Sequence, residues 1–163
     1  MEVAGAARPG GARLRAKDQK GRGSRTQGEM DMVDRAKKYF SCTDAERAVF
    51  EGAIKLAMVY HQFVGVPVTR ASAPSLEKAI EEAVMLQPWV VSARARIDRD
   101  LLAKGSERYG YRTLDGRMLR LEVVTRYGAV RAECAMQFVK EMRYPLMFVR
   151  RVRKGEVKKR VNR

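Results

Sequence analysis

Four side chains stand where their types sit poorly with their surroundings: Glu51, His61, Gln87 and Tyr144. Glu51 interrupts an apolar stretch between Phe50 and Gly52, one helical turn before Lys55. An unpaired carboxylate beside a wide apolar face is costly. It is either an anchor for a polar ligand edge or half of an i,i+4 ion pair with Lys55, worth about 0.2–0.5 kcal/mol. His61 is the only imidazole, flanked by Tyr60, Gln62 and Phe63. The plain reading is a core histidine bonded to a backbone carbonyl. Gln87 precedes Pro88 and Trp89. Its amide either bonds the last carbonyls of a helix or faces a heterocycle in two-point fashion. Tyr144 precedes Pro145 in an apolar run, where a packed ring with its hydroxyl at the rim is expected.

Helical geometry limits how Glu51 and His61 cooperate. Ten residues span about 15 Å along one helix and leave the two roughly 80° apart around it. They do not touch within one straight helix, so a shared site needs a long ligand or a second subunit. Carbon–carbon bond chemistry also invites a Schiff-base lysine. Lys55 and Lys78 have carboxylates at helical spacing, which favour the charged ammonium, and neither is a good candidate. The sequence contains no Gly-rich phosphate loop, no GxGxxG and no Walker pattern. One His excludes a site needing two imidazoles from one chain, the HExxH type included. Cys42 and Cys134 form neither a CxxC pair nor a spaced framework. A disulfide scaffold and a Cys-rich zinc site are thereby excluded, and a reducing cytoplasm is the default.

The elements that must position these residues follow from periodicity. Met32 to Phe40 reads as a short helix. Thr43 with Glu46 fits a capping box. The run that follows carries Val49, Ala53, Leu56, Ala57, Tyr60 and Val64 at helical spacing. Phe50, Ile54, Met58 and Phe63 widen that face nearly all round, so the helix should be buried by its own domain or by a subunit. Gly65 and Pro67 end it. A second helix starts at Ser72–Ser75, with Pro74 in the first turn. Its expected buried stripe is Leu76, Ala79, Ile80, Ala83, Val84 and Leu86, with Glu77, Glu81 and Glu82 near the helix start or outside. It stops by Gln87, because Pro88 disfavours helical geometry in the residue before it.

The second half switches to period two. Ala93, Ala95 and Ile97 alternate with Arg94, Arg96 and Asp98. Asp115-Gly116 reads as a hairpin turn joining Tyr109–Leu114 to Leu119, Leu121 and Val123. Tyr127-Gly128 is a second turn, leading to Val130, Ala132, Cys134 and Met136. Residues 135–142 also admit a helical turn. Tyr144–Val152 is a final strand, with Pro145 near its start. The expectation is an α+β domain of two main helices on a mostly antiparallel sheet of four to five strands.

The chain has 163 residues, a length that fits one domain with tails, and a net charge of +15. No stretch approaches the roughly 18–20 apolar residues that cross a bilayer, and the first residues lack the apolar core of a secretory signal. Residues 1–29 carry seven basic and three acidic side chains and six of the 13 glycines, without an aromatic. They cannot bury enough apolar surface to offset ordering, and disorder is expected. Met30 or Met32 is an alternative start. Residues 150–163 carry eight basic and one acidic side chain, so the two ends hold +11 of the +15. The expected division is a disordered extension at 1–29, a folded domain at 30–152 and a basic tail at 153–163. Basic tails bind phosphate backbones without specificity or serve as solvated ends.

The segments FEGAIKLAMVYHQFVGVPV (50–68), LEKAIEEAVMLQPWV (76–90) and RYPLMFVRRV (143–152) resemble the archaeal dihydroneopterin aldolases. The resemblance covers residues 43–152 and rests on the Glu-to-YHQF spacing, the LQP helix end and the YPLM strand together. It implies retro-aldol cleavage of a dihydropterin in tetrahydromethanopterin biosynthesis, with no Schiff base, metal or cofactor. It also implies a cytoplasmic homotetramer with sites at subunit contacts. Glu51 matches the glutamate that grips the pterin 2-amino and N3 edge. Gln87 matches the glutamine that positions the ring or a catalytic water. Tyr144 is the expected proton relay, and His61 matches a histidine near the substrate side chain. Two rivals come from other classes. One is a basic nucleic-acid-binding protein, drawing on Arg94, Arg96, Arg99, Arg120, Arg126 and Arg131. Against it stand the scarcity of aromatics for base stacking and the near-balanced body. The other is a pterin- or purine-binding module without catalysis.

Overall fold

The computed structural model describes residues 35–103 and 110–154. The extension at 1–29, the start at Met30 or Met32 and most of the basic tail lie outside these. The chain divides into units at Met1–Ala36 and Lys37–Arg163, and the architecture below is that of the second. The short helix expected from Met32 is a 3-10 turn at Arg35–Tyr39 among the described residues.

Helix α1 spans Asp44–Phe63. Its capping box is complete: the Thr43 hydroxyl accepts from the Glu46 N–H, and the Glu46 carboxylate accepts from the Thr43 N–H at 2.7 Å. These two bonds satisfy donors that the helix start leaves free. Helix α2 spans Ala73–Met85. Between them Gly65 takes φ 101°, a left-handed conformation that a Cβ would oppose, and its N–H donates to Leu114 O. A short α3 covers Arg99–Ala103.

The main sheet is antiparallel in the order β2-β4-β5-β6, with β2 Val90–Ile97, β4 Leu119–Tyr127, β5 Val130–Val139 and β6 Tyr144–Lys154. Period-two alternation sets its faces. Ala95, Ile97, Leu119, Leu121, Val123, Val130, Ala132, Cys134 and Met136 are buried, and the arginines between them are exposed. Helix α1 lies over β4 and β5, and α2 over β2. The close approach of α1 depends on Gly52, where an added Cβ would lie 2.5 Å from Cys134 Sγ. Thr125 Oγ1, fully buried on β4, donates to Ala48 O at 2.6 Å and ties helix to sheet.

Three expectations about the strands and turns are corrected. The turn at Asp115 forms, with Met118 N–H donating to Asp115 O, but its arms do not pair with each other. β3, Arg112–Thr113, instead pairs with β1, Pro67–Val68, in a separate two-stranded sheet. Local turn chemistry could not foresee that distant partner. Residues 135–139 continue β5, and the chain turns at Lys140–Arg143. β6 runs to Lys154, so the first residues of the expected tail are strand.

The inward stripes also differ. On α2, Leu86 and Ala79 are exposed, while Glu77 is buried. Glu77 accepts from Arg99 at 2.8 and 2.9 Å and from the Ile97 N–H at 2.6 Å, which is why a carboxylate is tolerated there. On α1 the inward stripe is Arg47, Ala48, Glu51, Gly52, Lys55, Leu56 and Val59, leaving Phe50 and Ile54 exposed.

Candidate active site

Glu51 is 4% exposed and sits in the middle of an ion-pair ladder on α1. Arg47 Nη2 meets its Oε1 at 2.6 Å and Lys55 Nζ its Oε2 at 2.5 Å. All three side chains are buried, so the ladder differs in kind from an exposed helix pair. The guanidinium of Arg47 is wedged between aromatic rings, 3.1 Å from the Phe40 centroid and 5.5 Å from that of Tyr127. Its Nε finds no hydrogen-bond partner among the described residues. Each carboxylate oxygen retains a second lone pair for a ligand donor.

Gln87, two residues past the end of α2, comes to the same flank of α1. Its amide nitrogen contacts Met58 Sδ. Met58 lies seven residues after Glu51, about 10 Å along the axis and at nearly the same angle around it. Two residues beyond Gln87, Trp89 takes φ 68°, uncommon for a bulky side chain. The Trp89 conformation is held from two sides. Its carbonyl accepts from Arg126 N–H at 2.8 Å, and its ring packs edge-on against Tyr127 at 4.8 Å. Tyr127 thus joins the Gln87 segment to the cation that holds Glu51.

His61 is exposed, its ring edge-on to Tyr60 at 5.9 Å, and not the core histidine of the plain reading. It lies on the exposed side of α1 with Phe50 and Ile54. Tyr144 opens β6 and is 56% exposed, rather than packed. It lies between Arg143 and Pro145, which line a cleft of about 570 Å³ together with Tyr60, Asp115, Gly116, Arg117 and Phe138. Asp115 accepts from Arg117 at 2.5 and 3.0 Å. Burial works against the Asp115 charge, but these bonds and the Arg117 charge hold its carboxyl below the ordinary range.

Tyr60 lies nine residues after Glu51, about 180° around α1. The cleft beside Tyr144 is therefore on the opposite flank of the helix from Glu51 and Gln87. Among the described residues no hydrogen bond or ion pair joins Glu51, His61 and Tyr144 to one another. One chain brings Glu51 and Gln87 toward a common flank, places His61 next to it, and holds Tyr144 apart.

Arg47, Tyr127 and the cleft residues were not singled out from sequence as site residues. The ladder had a signal, since Arg47, Glu51 and Lys55 recur every four residues in an otherwise apolar helix. Tyr127 and the cleft had none, because they meet the site through strand pairing. Lys55 is bonded to Glu51 and Lys78 pairs with Glu82 on the surface, so neither amine stands free. No group of three or more His, Cys, Asp or Glu among the described residues is arranged to hold a metal ion.

Comparison with known proteins decides the family. The family model for dihydroneopterin aldolase matches residues 43–150. The chain belongs to the dihydroneopterin aldolase family. It is 42% identical over 121 residues to the dihydroneopterin aldolase of Methanopyrus kandleri, covering 73% of this chain and 98% of the relative. It is 36% identical over 121 residues to the dihydroneopterin aldolase of Picrophilus torridus, covering 74% and 99%. The crystal structure of a Picrophilus torridus protein superposes with a TM-score of 0.65 at 34% identity, covering 76% of this chain and 97% of that one. The aldolase match spans α1, α2 with the Gln87 segment that follows it, and the start of β6, and so includes all four candidate residues. Among the described residues no helix is long and apolar enough to cross a membrane.

Proposed function

We propose that this chain is a dihydroneopterin aldolase, a carbon–carbon lyase that splits 7,8-dihydroneopterin into 6-hydroxymethyl-7,8-dihydropterin and glycolaldehyde. The observation that carries the reading is the one flank of α1 that holds both buried Glu51 and half-buried Gln87, within a chain of the aldolase family. A carboxylate and a primary amide on one flank, about 10 Å apart along the helix, suit the amino edge of a pterin and the far side of its ring. In this reading Glu51 accepts from the 2-amino and N3 hydrogens, and Gln87 orients the ring or a water.

Cleavage begins when a base takes the proton of the 2′-hydroxyl. The C1′–C2′ bond breaks, C2′ leaves as the aldehyde, and the electron pair on C1′ passes into the C6=N5 imine. An acid then protonates C1′. The dihydropterin ring is its own electron sink, so no lysine Schiff base is required. Tyr144 is the proton relay and His61 attends the substrate side chain.

Because Tyr144 lies across the helix from Glu51 and Gln87, a complete site takes Tyr144 from a second copy. Exposed Phe50 and Ile54 on α1, Met85 and Leu86 at the end of α2, and Met142 and Val149 around β6 supply apolar surface for that contact. A cytoplasmic homotetramer serving tetrahydromethanopterin biosynthesis is the assembly and setting proposed. The test is substrate cleavage measured beside reduction with borohydride. Turnover with no trapped lysine adduct supports the reading. A trapped adduct overturns the mechanism, and binding without turnover moves the chain to the non-catalytic pterin-binding alternative.

A further inference from the structure

The outer face of the main sheet carries a feature the aldolase reading does not use. Arg126 on β4 is the direct cross-strand partner of Arg131 on β5, and Arg131 is the direct partner of Arg153 on β6. Their neighbours Thr125, Val130 and Ala132 point into the core, so the three arginines share the face away from the helices. All three are exposed, and none has a hydrogen bond or ion pair from its side chain among the described residues. Arg151 lies two residues along β6 beside this row and is likewise exposed, with Glu133 on β5 as its direct cross-strand partner.

Like charges directly opposite one another destabilise a sheet. Edge protection accounts for Arg153, because a cationic edge strand resists pairing with another sheet. It does not account for Arg126 and Arg131, which lie on the two central strands. The face has two acids. Glu122 is bonded by Arg150 at 2.9 Å and lies away from the row. Glu133, two residues from Arg131 on β5, stands opposite Arg151 and makes no ion pair with the row among the described residues, so one carboxylate offsets part of the charge of these arginines. The sequence beyond Lys154 continues with Lys158, Lys159, Arg160 and Arg163, following the strand end that holds Arg153. The near-balance of the body thus conceals an uneven distribution, with cations stacked across three strands.

We propose that the row Arg126–Arg131–Arg153 is a binding face for the phosphate backbone of a single-stranded nucleic acid. Strands about 4.8 Å apart place the three arginine roots over about 10 Å, in a line across the sheet. Exposed guanidiniums in a line suit successive phosphates and read no bases. Only backbone contact is expected, since the row has no exposed aromatic beside it for stacking. A second copy is the poorer occupant, because self-packing of this face would bring one cation row toward another.

The test uses the full chain and a fluorescent uridine oligonucleotide of about 20 nucleotides, followed by anisotropy as potassium chloride rises. The comparison is with Arg126→Gln/Arg131→Gln/Arg153→Gln. The variant should bind at least about tenfold more weakly at moderate salt. Its log–log salt slope should fall by about two, since each single-strand phosphate contact contributes about 0.7. Its melting temperature should be equal or higher, because repulsion is relieved, and its pterin turnover unchanged. Three outcomes overturn the proposal: no RNA binding by the unmodified chain, equal affinity and slope in both proteins (binding by the basic ends alone), or a changed sedimentation coefficient in the variant (a subunit contact).

Discussion

At the scale of single residues, the site depends on what Glu51 is tied to. Its pairing with Lys55 was legible as an i,i+4 spacing, but its burial was not, because the surrounding residues are apolar all round and periodicity could not choose the inward face. The choice falls on the charged side because the Phe40 and Tyr127 rings enclose Arg47 there. One consequence concerns mutagenesis. Glu51→Ala leaves Arg47 and Lys55 buried without their anion, and should cost on the order of 3–5 kcal/mol by chemical denaturation. Glu51→Gln is the cleaner probe of binding: KM should rise about tenfold or more, with kcat less affected. Tyr144→Phe should do the reverse, lowering kcat by about 10²-fold with KM little changed. Steady-state kinetics on the two variants checks the division. Equal losses of both parameters in both variants would contradict the assigned roles.

At the scale of elements, the strands were legible because one face is buried and the side chains alternate. The Asp115 turn was misread as a hairpin because β3 pairs with β1 across the chain, a contact no local pattern encodes. Two element-level predictions follow from packing. Gly52→Ala would force Cβ to 2.5 Å from Cys134 Sγ, and should destabilise by about 1–3 kcal/mol as α1 shifts on β5. Gly52→Ala/Cys134→Ala should recover part of that loss in the same urea titration.

Glu77 fastens α2 to the β2–α3 junction. Burial opposes its charge, but the Arg99 and Ile97 bonds and the Arg99 charge hold its carboxyl below the ordinary range. A depressed folded value means this stabilisation is complete above the unfolded value of about 4.3, and is lost as pH falls through the lower folded value. Glu77→Gln should therefore cost stability at neutral pH, by about 1.5–3 kcal/mol. It should also flatten the acid limb of the stability–pH curve, as followed by circular dichroism.

At the scale of the whole molecule, the candidate site divides across α1, with Glu51 and Gln87 on one flank and Tyr144 on the other. Sequence spacing already kept Glu51 and His61 from touching and called for a long ligand or a second subunit. It could not show on which flank Tyr144 falls, because strand order and register decide that. A site shared between copies predicts complementation. Gln87→Ala and Tyr144→Phe, each nearly inactive alone, should recover up to about a quarter of full activity when unfolded together and reassembled. No recovery, from mixtures shown by mass spectrometry to contain hybrid oligomers, would place the whole site in one chain.

The most direct measurement is the reaction itself. Purified protein would be incubated anaerobically with 7,8-dihydroneopterin, with and without EDTA. The pterins would then be oxidised and separated by fluorescence, and the aldehyde quantified. The expected result is 6-hydroxymethylpterin and glycolaldehyde in equal amounts, at the same rate in EDTA. Folded, oligomeric protein that binds the substrate and releases neither product would contradict it.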